Sequence, residues 1–161
     1  YVHAADARER LVSSQTTPEF LRIVRLIEDV AFRNGTGHDT PMAIQKVAGW
    51  PMGWYLREYR NWYHPKKIEE RDKEKVIIIG DWKERDRLRK LLLSDFVEIR
   101  CPLRSWWVPN SKNLNFKKVL RYFLYREVYS PKIQSYAAVY VRKNVYFTQQ
   151  EASKRPGKSC L

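Results

Sequence analysis

The chain has 161 residues, 43% of them hydrophobic and 14% aromatic, with 31 Lys/Arg against 18 Asp/Glu and a formal net charge of +13. That length supports one domain with a real core, no run of about 18 apolar residues offers a membrane span, and no signal-peptide pattern is visible. The charge is uneven: residues 1–80 hold 13 Lys/Arg and 11 Asp/Glu, and residues 81–161 hold the other 18 and 7. A basic C-terminal half suits anionic lipid headgroups, polyprenyl phosphates or nucleic acid. The competing reading is a solvated face with no specific partner.

The sequence starts at Tyr1 rather than Met and reads as a piece of a longer or processed protein. Residues 1–9 read as an extension and residues 10–148 as the α/β domain. Residues 149–161 read as a polar, disordered tail. Arg10–Ser14 is a candidate short strand. Thr17-Pro18-Glu19 then opens a helix, with Thr as N-cap, Pro at the first helical position and an acid in the first turn. Phe20, Ile23, Val24, Ile27, Val30 and Ala31 follow at helical spacing, and Asn34-Gly35 ends the helix.

Pro41–Val47 reads as a second strand, Met52–Glu58 as a short helix and Asn61–His64 as extended. Lys66–Lys75 is a charged connector. Val76–Ile79 is a continuous β-branched run, the signature of a strand buried on both faces as in a parallel sheet. Gly80-Asp81 leads into a helix over Trp82–Leu93, and Phe96–Ile99 is a further strand. Cys101–Asn113, with two Pro and Trp106-Trp107, reads as a loop. Phe116–Tyr125 is helical, with Phe116, Val119, Leu120 and Phe123 on one face. Tyr136–Val141 is a last strand, of either direction. Strands alternating with helices predict a single α/β domain, a three-layer α/β/α sandwich with a mainly parallel sheet.

Most enzyme chemistry lacks its motif. Gly80-Asp81-Trp82 follows the best strand but has a single Gly, and Trp would obstruct a phosphate. No phosphate-cradling Gly-rich loop and no nucleophile elbow occur. Glu69, Glu70 and Asp72 read as a solvated charge cluster rather than a catalytic pair. Cys101, Cys160, His3, His38 and His64 have no metal-ligand spacing. Cys101 reads as a buried thiol and Cys160 as a mobile one. No cofactor, metal or catalytic residue is expected in this chain.

Two clusters of aromatic and basic residues remain. Trp50 and Trp54 lie beside Arg57 and Arg60, and Trp106-Trp107 lies beside Arg100 and Arg104. Indole faces stack on sugar C–H surfaces, and guanidinium forks bind phosphate bidentately. The structural alternative is that the Trp rings close the ends of the sheet while the Arg side chains lie over them. If residues 52–58 are helical, Trp54 and Arg57 share an outward face and Tyr55, Leu56 and Tyr59 pack inward.

Several segments occur in a telling order. They are Ser14-Gln-Thr-Thr-Pro-Glu19, Gly49-Trp-Pro-Met-Gly-Trp-Tyr-Leu-Arg-Glu-Tyr59, Pro102-Leu-Arg-Ser-Trp-Trp107, Leu120-Arg-Tyr-Phe-Leu-Tyr-Arg-Glu127 and Val139-Tyr-Val-Arg-Lys143. Over residues 10–145 the set resembles the C-terminal soluble part of prokaryotic protein-mannosyltransferase-like membrane proteins, the group that includes the flippase activity-associated family. Glu58 stands where that pattern has Asp, and Lys132-Ile133 stands where it has a Gly. The resemblance implies a multi-pass parent of the GT-C type that takes sugar from a polyprenyl-phosphate donor. Its catalytic acid would lie in the membrane part, and this domain would sit on the outer face of the membrane as a monomeric accessory unit. Partners implied are the membrane portion of the parent, anionic lipid or a polyprenyl-phosphate sugar. A basic soluble nucleic-acid-binding domain is the alternative from another class, although no recognised binding motif supports it.

Overall fold

The computed structural model describes residues 15–107, 115–125, 127, 129 and 131–147. Thr17 caps the first helix as its sequence predicts: its Oγ1 accepts from the Phe20 amide at 3.3 Å, and α1 runs Pro18–Arg33. Asn34 closes it, and Gly35 follows with φ of 73°, a left-handed conformation that Gly adopts without steric cost. The candidate strand at Arg10–Ser14 lies outside the described residues. The first strand seen is β1, Gln15–Thr16.

The remaining strands are β2 (Met42–Ile44), β3 (Trp62–Tyr63), β4 (Ile77–Asp81), β5 (Phe96–Trp107) and β6 (Lys132–Arg142). They form one sheet in the order β1-β5-β6-β4-β2-β3. β4 is interior, as its apolar run requires, with β2 on one side and β6 on the other. The expectation of a mainly parallel sheet is corrected. β2 pairs in parallel with β3 and β4, but β4–β6, β6–β5 and β5–β1 are antiparallel. A strand buried on both faces is apolar whichever way its neighbours run, so the β4 run carried no direction.

Alternate residues of the strands feed two apolar clusters. Ile77, Ile79, Met42, Ile44, Val139 and Val141 pack with Phe20, Val24 and Ile27 of α1 and with Met52 of α2, Gly49–Tyr55. Ala43, Ile78, Ala138 and Tyr140 pack on the other side with Leu88 and Leu92 of α3, Arg85–Leu92, and with Ile68. The chain is therefore one mixed α/β domain whose sheet is buried on both sides.

Two further readings change, and the structure adds which side of one helix is buried. The Cys101–Asn113 loop is strand as far as Trp107, because Pro102 sits at a register shift where a ladder donor is not required. The charged connector is partly structural. Ile68 is fully buried, and the Asp72 carboxylate accepts from the Glu69 amide at 2.8 Å and from the Tyr63 hydroxyl. In α4, Phe116–Tyr125, the buried residue is Tyr122, while Phe116, Leu120 and Phe123 are exposed.

Candidate functional site

In open α/β sheets, ligands settle beyond the carboxyl ends of parallel strands. Here that position, after β2 and β4, is filled by the protein itself. The buried Gln45 side chain accepts from the Asp81 amide at 2.9 Å and donates to the Lys66 carbonyl and to Glu84, each at 3.1 Å. Arg87 also donates to Glu84, which holds that carboxyl below the usual range. The candidate site lies instead on α2 and the turn behind it.

Local packing fixes this segment. Gly49 lies on the His64 ring so closely that a Cβ would stand 3.0 Å from His64 Cε1. His64 is held in turn by a 2.9 Å contact from Nδ1 to the Ile44 carbonyl and by the edge of Trp62. Pro51, Met52 and Leu56 are buried, which anchors α2. The inner face is thereby consumed by aliphatic residues, and both indoles are left outside. Trp50 is 59% exposed and Trp54 58%.

The Arg57 guanidinium lies 4.7 Å from the Trp54 ring centre, a cation–π stack on the surface. Helix α2 ends at Tyr55, so Arg57 reaches Trp54 from the following turn and not from a shared helical face. Arg60 is exposed just beyond, its amide bonded to the His38 carbonyl at 2.9 Å. Of the two tyrosines expected inside, Tyr59 is buried beside His38, and its phenol is pushed up to about 12, by burial first and then by Glu28. Tyr55 is 37% exposed and meets the Phe20 ring edge-on.

The second cluster does not assemble as one patch. Trp106 and Trp107 occupy successive positions on β5, so their rings project to opposite faces. Trp107 packs against Tyr122 at 5.0 Å and Tyr129 at 5.1 Å, and closes the end of the sheet under α4. Trp106 is half-buried opposite Ile133, and Arg104 is half-buried in register with Ser135. Arg100 turns elsewhere, to the Tyr136 ring at 4.0 Å and the Trp82 ring at 5.1 Å. Arg85 meets the same Trp82 ring at 4.8 Å. Sequence spacing could not show this Arg85–Trp82–Arg100–Tyr136 group, because it joins α3 to two paired strands. The local hints are Trp82, placed directly after β4, and Arg85 three residues on.

Other chemistry is structural. Among the described residues no group of metal-ligating side chains converges. The Cys101 thiol is buried and pushed up to about 12 by that burial, so it is a poor nucleophile. A cavity of about 440 Å³ is lined by Lys73, Ser94, Asp95, Arg142, Lys143 and Asn144. Lys143 there donates to the Leu93 and Ser94 carbonyls, and Arg142 to those of Lys73 and Lys75. Those two cations close the end of α3 and the approach to β4. Cys160 and the polar tail lie outside the described residues.

No protein-family model matches the chain, and no curated protein or solved structure does either.

Proposed function

We propose that this chain is the non-catalytic, extracytoplasmic accessory domain of a multi-pass membrane glycosyltransferase that draws on a polyprenyl-phosphate-linked sugar. The observation that carries the proposal is the Trp54–Arg57 stack, with Trp50 also exposed on the same short segment. Two indoles more than half exposed are not doing the work of a core. A guanidinium held over one of them presents an aromatic face and a phosphate-binding fork together. That pairing suits a sugar phosphate, an acceptor or the membrane portion of the parent. The ordered motifs that resemble the protein-mannosyltransferase-like group run through this patch, and the +13 charge suits an anionic membrane face. In this reading the helices on either side of the sheet form a three-layer α/β/α arrangement, and the sheet is a rigid platform behind α2.

Topology tests the reading. In the full parent with Cys160→Ser, Lys83→Cys places a thiol at an exposed position, while Cys101 stays buried. A membrane-impermeant maleimide should label intact cells. Labelling only after permeabilisation, or a parent without membrane-spanning segments, would overturn the proposal.

A further inference from the structure

Helix α4 is built backwards for a core helix. Asn115 caps its start, with Oδ1 accepting from the Lys118 amide at 2.9 Å. Tyr122, 2% exposed, pins the helix against Trp107. The large apolar residues lie on a different side. Phe116 is 81% exposed, Leu120 45%, Phe123 63% and Leu124 62%. Their spacing, i, i+4, i+7 and i+8, is one continuous helical stripe. Lys117 and Arg121 form the neighbouring row, both exposed, with Arg121 3.2 Å from Glu127. Tyr125, at the helix end, is also exposed.

We infer that α4 is an interfacial helix: its Phe116–Leu120–Phe123–Leu124 stripe enters the surface of an anionic lipid bilayer while Lys117 and Arg121 meet the headgroups. An apolar stripe beside a basic row on one exposed helix is the pattern of helices that sit in a membrane interface. Charge decides against a second copy of this chain as the occupant. A two-fold contact through the same stripe would bring the Lys117 and Arg121 rows of two +13 chains together. An anionic surface is complementary to those rows, and each Lys or Arg near it gains attraction. The inference rests on the membrane-side reading proposed above, but vesicle binding requires no parent, so either can fail alone.

The test is co-sedimentation of the 161-residue chain with vesicles of phosphatidylcholine alone and of equal parts phosphatidylcholine and phosphatidylglycerol. Binding should be confined largely to the anionic vesicles and should persist in part at high salt, where purely electrostatic attachment is screened. Phe123→Ser with Leu120→Ser should lower partitioning by about tenfold or more, from lost apolar burial. Lys117→Glu should weaken binding at low salt and matter little at high salt. Circular dichroism establishes that each variant is folded, and Phe116→Ser, at the most exposed position, serves if the double variant is not. Anionic binding that the serine variants leave unchanged would overturn the inference. So would absence of vesicle binding, or a dimer in sedimentation that the serine variants dissociate.

Discussion

Gly80→Ala probes how tightly α3 is seated on the sheet. A Cβ at residue 80 would stand 2.3 Å from Leu88 Cδ1, well inside contact distance. Leu88 is fully buried among Ile78, Leu92, Phe96 and Tyr140, so it cannot swing clear without moving its neighbours. Overpacking of this kind costs about 1–3 kcal/mol. Loss of the glycine's unfolded-state freedom returns about 0.4–1 kcal/mol, because φ at residue 80 is not positive. The net expectation is a destabilisation of about 1–2 kcal/mol. Leu88→Ala alone should cost about 2–5 kcal/mol by opening a cavity. The double variant places the new methyl inside that cavity, so its cost should fall below the sum of the two by about 1–2 kcal/mol. Urea unfolding of the four proteins measures this, read as midpoint shifts at constant slope. Additive costs, or a stabilising Gly80→Ala, would refute the packing of α3 against β4.

Thr17→Ala removes both an N-cap acceptor and a 2.7 Å hydrogen bond donated to the Pro102 carbonyl. It should cost about 1–2 kcal/mol in urea unfolding, with Thr17→Ser close to wild type. Tyr63 has its phenol pushed up to about 12, by burial first and then by its hydrogen bond to Asp72. The folded state thus holds this proton more tightly than the unfolded state, whose value is 10.0. The resulting stability is present below pH 10 and lost as pH rises toward 12. Tyr63→Phe should therefore be less stable at neutral pH and show a shallower alkaline decline, followed by thermal melts across that range.

The parts that were legible depend on local chemistry. Thr17-Pro18 and Asn34-Gly35 bracket α1 because capping and left-handed backbone are set by single residues. The span of α4 was legible in the same way, but its orientation was not. Helical periodicity locates an apolar stripe without saying what it meets, and the ring that Tyr122 packs against is Trp107, on a distant strand. The second half of β5 was obscured by Arg100, Pro102 and Arg104, which break an apolar alternation. It is held by long pairing with β6, which no local window contains. Asp72 looked solvated because its neighbours are charged, yet its partner Tyr63 is nine residues away. For the candidate site, exposure of Trp54 and Arg57 was readable from the apolar demands of α2, although the helix ended earlier than the spacing predicted. The Arg85–Trp82–Arg100–Tyr136 stack was not readable, since it requires the sheet order.

In the proposed function, the Trp54–Arg57 face serves the parent's transfer reaction and not the fold. The direct measurement is sugar transfer from a polyprenyl-phosphate donor by the full parent with Arg57→Ala, beside the melting temperature of the variant domain. Loss of one charge-assisted phosphate contact is worth about 1.5–3 kcal/mol, so transfer should fall about tenfold to a hundredfold. Removal of an exposed side chain should change domain stability by about 0.5 kcal/mol or less. Transfer at the wild-type rate, or a loss that comes with an early melt of the domain, would contradict the account.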